Sequence, residues 1–184
     1  EKLNGLITIG PSFPSEQMKK NFAYAHKQTQ KILNKSGIIN GALNFDFIFD
    51  KNNKLYFLEI APRNGGGLLP ELIKYSTKTD LIKYTIDTAV GIKLNKPELK
   101  KCIGYWSSYM IHSSQSGNFK NIYIDRKLKK YIKYFDLFVK KGDKVKKYEN
   151  AQHILGNLIF NFKSKNEMMS LYRNPEKYIK VNLL

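Results

Sequence analysis

The chain has 184 residues, 42% of them hydrophobic and 13% aromatic, and a formal net charge of +17 at pH 7. That length suits one domain or two small lobes, and that apolar content builds a packed core, which excludes a disordered chain. The single cysteine, Cys102, excludes an internal disulfide framework and fits a reducing, cytoplasmic setting, and no apolar run reaches the roughly 18–20 residues of a membrane span.

In chain order, LITI at 6–9 reads as a short strand, and PSFPSE as a loop ending in a helix cap at Ser15. Met18, Phe22, Ala25, Thr29, Ile32 and Leu33 recur at helical spacing, predicting a helix that Gly37 stops. GALNFDFIF, the turn DKNNK and LYFLEI predict a β-hairpin. LLPELI reads as a short helix. A further helix, capped at Thr79 and ending at Gly91, is expected to turn Leu81, Ile82, Ile86, Ala89 and Val90 inward. From residue 103 the pattern changes to strands: IGYWSSYMIH, NIYI, DLFV and ILGNLIFNF, separated by polar turns. Ser164 and Glu167 make a capping box for a final helix. The order reads as α+β, an antiparallel sheet with packed helices over 1–100 and a smaller β-rich lobe over 101–184.

The positive charge raises nucleic acid as a partner, but lysine carries nearly all of it; the arginines are Arg63, Arg126 and Arg173. Lys, Asn, Ile and Tyr share A/T-rich codons, so genome composition accounts for much of the excess. Base reading and bidentate phosphate contacts lean on Arg. Nucleic acid is therefore not the expected partner. The densest run, 126–148, reads as a solvated strand-and-turn face rather than an anion-binding patch. Zinc-type Cys/His spacing is absent, and His26, His112 and His153 read as solvated or structural. EKLNGLITIG carries neither a signal-peptide pattern nor an initiating Met, so a longer protein is expected.

The chemistry concentrates at the hairpin. Asn44, Asp46 and Ile48 share one strand face; Leu43, Phe45, Phe47 and Phe49 share the other. Glu59 lies near the end of the partner strand, where a five-residue turn can bring it opposite Asp46. Two facing carboxylates repel each other, and a hard cation such as Mg²⁺ or Mn²⁺ relieves that repulsion. The competing reading is two lone strand carboxylates bonded to lysines. Arg63 then offers a planar fork for phosphate or carboxylate. Asn64, Gly65, Gly66 and Gly67 bare their backbone N–H groups before a helix that starts at about Leu68. Acid pair, cation, arginine and open backbone together suit a bound polyphosphate.

The stretch GALNFDFIFDKNNKLYFLEIAPRNGGG resembles the metal-binding hairpin of the ATP-grasp superfamily, in its carbamoyl-phosphate synthase, biotin carboxylase and carboxylate–amine ligase branches. The resemblance covers residues 13–92 well and extends more loosely over GDKVKKYENAQHILGNLIFNF and the helix after it. It implies ATP and Mg²⁺ (or Mn²⁺) as cofactors, with Asp46 as the first metal ligand and Glu59 as the bridging one. Ile48 corresponds to an apolar residue against the adenine, a place Leu58 could also take. Arg63 corresponds to the arginine that steadies an acyl-phosphate or its carboxylate. The motif's asparagine falls on Ala61, as in purine-pathway carboxylase-type members, so one metal or two stays open, with Asn44 or Asn64 as substitutes. The implied activity is ligation of a small carboxylate to an amine or thiol through an acyl-phosphate. The chain would be the C-terminal part of an ATP-grasp domain whose remainder lies upstream, with a homodimer compatible. A basic module for RNA or another polyanion, and a degenerate nucleotide-binding relative, are the alternatives.

Overall fold

The computed structural model describes residues 8–93 and 100–184, and the backbone alone for 16–20. The chain divides into two compact units. Pro14–Lys101 form one. The other joins Cys102–Leu184 to the residues up to Phe13, including β1 (Ser12–Phe13). The architecture is α+β, with antiparallel sheets and several helices.

The first unit opens with α1 (Glu16–Ser36), closed by Gly37 at φ 66°, where a side chain would be strained. Ala25 is buried, and Thr29, Ile32 and Leu33 are half-buried on the same stripe. Phe22 departs from the expectation: it is exposed and stacks on His26 at 5.8 Å. Met18 lies outside the described side chains. The hairpin follows as β2 (Asn44–Phe49) and β3 (Leu55–Ala61), closed by Asp50, whose carboxylate accepts from the N–H groups of Asn52 and Lys54 at 2.8 Å each. Then come α2 (Leu69–Thr77) and α3 (Leu81–Ala89). Asp80, not Thr79, caps α3, accepting from the Lys83 N–H at 3.0 Å. The inward face expected for α3 is also corrected. Ile82, Ile86 and Val90 are 40%, 57% and 68% exposed, Ala89 is exposed as well, and the residue buried on this helix is Asp87. Helical spacing identifies an apolar stripe; it does not say what the stripe faces.

In the second unit, β1 pairs with β4 (Tyr105–Ile111), which pairs with β8 (Gly156–Phe162), which pairs with β6 (Ile132–Leu137). A three-stranded sheet orders β7 (Lys144–Val145), β5 (Gly117–Ile124) and β9 (Ile179–Leu183). Short helix α4 (Arg126–Lys129), α5 (Lys165–Arg173) and α6 (Pro175–Tyr178) complete it. Ile111, Leu158, Phe160 and Phe162 from the strands and Met168 and Leu171 from α5 form the centre of the core. Ser164 and Glu167 make the expected capping box, and Glu167 also accepts from the Tyr131 hydroxyl. The strand expected at 6–9 is displaced. Its first two residues lie outside the described residues, 8 and 9 are not in a strand, and β1 occupies part of the stretch read as a loop. The Ile9 carbonyl still accepts from the Met110 N–H at 2.8 Å. The chain also continues past the expected final helix into α6 and β9; five residues alternate too briefly to signal a strand before the partner β5 is known. Along 126–148 the lysines are nearly all exposed, while Leu128, Tyr131, Val145 and Tyr148 are buried. Among the described residues, no helix is long and apolar enough to cross a membrane.

His112 is structural. Its ring stacks on Tyr148 at 4.6 Å, and its Nδ1 lies 2.7 Å from the Met110 carbonyl. Burial lowers its pKa below the ordinary imidazole value, against the opposing effects of the Met110 carbonyl and Glu176. The unfolded chain therefore binds this proton more readily than the folded one, so stability falls as pH drops below about 6.5. The melting temperature of this unit is expected to decrease between pH 7.5 and pH 5.5, and His112→Gln is expected to flatten that decrease. Equal slopes in both proteins would remove His112 as the cause.

Candidate metal and phosphate site

The ladder between β2 and β3 contains one irregularity that decides the geometry. Phe47 pairs with Phe57, but Asp46 pairs with Glu59, so Leu58 is an extra residue without a partner. Unbroken alternation from Phe57 would put Leu58 opposite Asp46 and send the Glu59 carboxylate to the aromatic face. The bulge turns Glu59 onto the face of Asp46. Directly opposed residues have Cβ atoms about 4.5–5.5 Å apart, within reach of one bridging cation. Ile48 faces Tyr56 and Asn44 faces Ala61 along the same ladder. On the other face, Phe57 meets Phe45 and Phe47 edge-on at 6.0 Å. The carboxylate face is open: Asp46, Ile48, Tyr56, Leu58 and Glu59 are all exposed.

Asn44 and Asp46, two residues apart, are joined: the Asn44 amide donates to Asp46 Oδ1 at 2.9 Å. Asn64 points elsewhere, donating to Thr85 Oγ1 of α3 at 2.9 Å. Thr85 itself donates to the Leu81 carbonyl at 2.8 Å, so its hydroxyl can only accept from Asn64. The Arg63 guanidinium is exposed, donates to the Asn64 carbonyl at 2.9 Å, and makes no ion pair among the described residues. Glu71, the acid ahead of it that a structural arginine could pair with, does not hold it.

The adjacent glycines serve different ends. A Cβ on Gly65 would lie 2.5 Å from Leu69 Cδ2 and 2.9 Å from Asn44 Oδ1, so a side chain there would push both of these side chains aside. A Cβ on Gly66 would meet nothing within 4 Å, and its φ is not left-handed. Gly67 has φ 63°, and Leu68 follows at φ 60°, an uncommon conformation for leucine. Leu68 is the N-cap of α2 and caps it with no side chain; the Leu69 N–H instead donates to the Gly66 carbonyl at 3.2 Å, and Pro70 carries no N–H.

Among the described residues there is no group of three or more His, Cys, Asp or Glu side chains suited to a metal. Two carboxylates with an amide beside them are nevertheless an all-oxygen set. It fits Mg²⁺, which commonly takes one or two carboxylates and completes its shell with water and phosphate.

No family profile and no curated protein matches this chain. Solved structures do. An L-amino acid ligase from Bacillus licheniformis superposes with a TM-score of 0.81 at 19% identity, over 96% of this chain and 44% of that one. A phosphoribosylglycinamide synthetase from Anaerococcus prevotii gives 0.74 at 20% identity, over 97% and 46%. The biotin carboxylase domain of a Hydrogenobacter thermophilus 2-oxoglutarate carboxylase, solved with MgADP and bicarbonate, gives 0.69 at 18%, over 95% and 39%.

The chain has the fold of part of an ATP-grasp domain. It spans less than half the length of these ATP-grasp structures. Within the fold, the hairpin brings Asn44, Asp46, Ile48 and Glu59 to one face, with the bulged Leu58 exposed beside Glu59. Asn64 is instead drawn to α3. Two residues of this region escaped the sequence reading. Tyr56 stands beside Ile48 on the carboxylate face, although alternation along LYFLEI could have flagged it. Thr85 left no signal, because a threonine within a helical stripe is ordinary.

Proposed function

We propose that this chain is the metal- and phosphate-binding part of an ATP-dependent carboxylate–amine, or carboxylate–thiol, ligase. The carrying observation is the bulge-dependent pairing of Asp46 with Glu59, in a hairpin that runs directly into Arg63 and the glycine loop at the start of α2. In this reading Asp46 and Glu59 hold Mg²⁺ or Mn²⁺ on ATP, and Ile48 and Leu58 offer apolar surface to the adenine. Asn64, Gly65 and Gly66 border the phosphates, and Arg63 holds the oxygens of the acyl-phosphate. ATP with its cation would supply an activated carboxyl group for attack by the amine or thiol. The residues themselves bind, orient and neutralise charge. The remainder of the enzyme, its substrates, a homodimer and a cytoplasmic location belong to the same proposal.

The test needs no knowledge of the amine. Full-length protein, ATP, Mg²⁺ and a panel of small carboxylates are incubated with hydroxylamine, which traps acyl-phosphates as hydroxamates. Hydroxamate that requires ATP, Mg²⁺ and one carboxylate supports the ligase. Nucleotide binding without hydroxamate for any carboxylate favours the degenerate relative. Sequence-selective RNA binding that survives about 0.2 M salt, where nonspecific electrostatic binding falls steeply, favours the polyanion module. The 184-residue chain alone is expected to hydrolyse ATP no faster than its Glu59→Ala variant.

Gly66 offers a finer check, because neither its backbone nor its neighbours require glycine. Gly66→Ala is expected to leave the melting temperature unchanged and to raise KM for ATP about tenfold, the effect of losing one hydrogen bond to a charged group. An unchanged KM would show that no phosphate approaches this backbone.

A further inference from the structure

We propose that Asn44 is a positioning residue: its amide clamps Asp46 within the carboxylate pair, and the bare Gly65 leaves that amide its space. This rests on the reading of Asp46 and Glu59 as a metal pair. The clamp itself is drawn from contacts within the first unit.

Asn44 and Asp46 lie on one face of β2, and the Asn44 amide donates to Asp46 Oδ1 at 2.9 Å. Facing carboxylates repel, and an exposed Asp46 has rotamers that turn it towards solvent. The bond from Asn44 holds one oxygen and leaves Oδ2, with further lone pairs, for a cation. Asn44 is in turn confined by the loop. Its Oδ1 stands 2.9 Å from where a Cβ on residue 65 would lie, beside Leu69 Cδ2 at 2.5 Å, and Gly65 does not have the positive φ that would call for glycine on conformational grounds. The loop after β3 therefore packs against the side chain that orients Asp46. Asn44 is also paired with Ala61, whose methyl group leaves the amide unobstructed from across the ladder. Partners of this kind orient ligating carboxylates, and losing one typically weakens metal affinity about 10–100-fold.

The test uses the 184-residue chain. In its ¹H–¹⁵N spectrum without metal, the Asn44 side-chain amide, identified by its loss in Asn44→Leu, is expected to carry one downfield, slowly exchanging proton. That signature should disappear in both Asp46→Ala and Gly65→Ala, with melting temperatures close to the parent's. In Mn²⁺ titrations followed by electron paramagnetic resonance, Asn44→Leu and Gly65→Ala should each weaken binding about 10–100-fold. The double variant should be no weaker than the worse single one, because both changes break the same contact. Amide signals indifferent to Asp46→Ala and Gly65→Ala would overturn the clamp. So would parental Mn²⁺ affinity in Asn44→Leu while Asp46→Asn abolishes binding, an outcome that leaves the metal pair standing. Mn²⁺ affinity indifferent to both Asp46→Asn and Glu59→Gln would instead overturn the metal reading, and the clamp's purpose with it.

Discussion

Replacing Glu59 by glutamine in the full-length protein is expected to lower kcat about a thousandfold, because a ligating oxygen and its charge are both lost. A bound cation contributes several kcal/mol to the stabilisation of developing charge, and roughly 4 kcal/mol corresponds to three decades in rate. Glu59 is exposed and pairs across the ladder with another acid, so its removal relieves repulsion and should not lower the melting temperature. Raising Mg²⁺ well above its ordinary concentration should recover part of the activity, since the amide keeps one oxygen. Asp46→Asn should behave in the same way. The measurement is kcat against Mg²⁺ concentration for the three proteins, with melting curves alongside. If Glu59→Gln keeps kcat within about threefold, an effect of under 1 kcal/mol, the carboxylate pair does not serve catalysis.

The second large effect is expected at Arg63. The side chain is exposed and, among the described residues, donates only to the neighbouring Asn64 carbonyl and makes no ion pair, so little of the fold depends on it. A guanidinium can hold two oxygens of an acyl-phosphate in one plane, which the point charge of a lysine cannot. Charge grows on those oxygens during phosphoryl transfer, so the contact strengthens towards the transition state. Loss of such a donor typically costs roughly 3 kcal/mol, or about a hundredfold in rate. Arg63→Lys in the full-length protein should therefore lower kcat by about that factor with an unchanged melting temperature. A variant that melts far lower yet keeps its kcat would make Arg63 a structural residue.

Much of this region was legible in the residues alone, wherever the information is local. Alternation over Asn44–Phe49 sorts polar from aromatic side chains, because successive strand residues point to opposite faces. DKNNK closes a hairpin because Asp50 satisfies two backbone N–H groups of its own turn. Gly37 and the Ser164–Glu167 box mark helix ends through their own side chains, or the lack of one. Tertiary structure decided what depends on partners. The bulge at Leu58 comes from ladder pairing, and without it the same letters would put Glu59 among the phenylalanines. Asp80 rather than Thr79 caps α3, and its carboxylate also pairs with Lys74 of α2 at 2.6 Å, a contact between helices that residue order does not show. Ile82, Ile86 and Val90 keep their helical period but face outward, since periodicity carries no information about the surface it meets. β9 is a strand only because β5 pairs with it. The three glycines look alike in sequence. Gly67 is set apart by its own backbone angle, Gly65 by Asn44 and Leu69, and Gly66 by the open space around it, distinctions that exist only once the chain has folded.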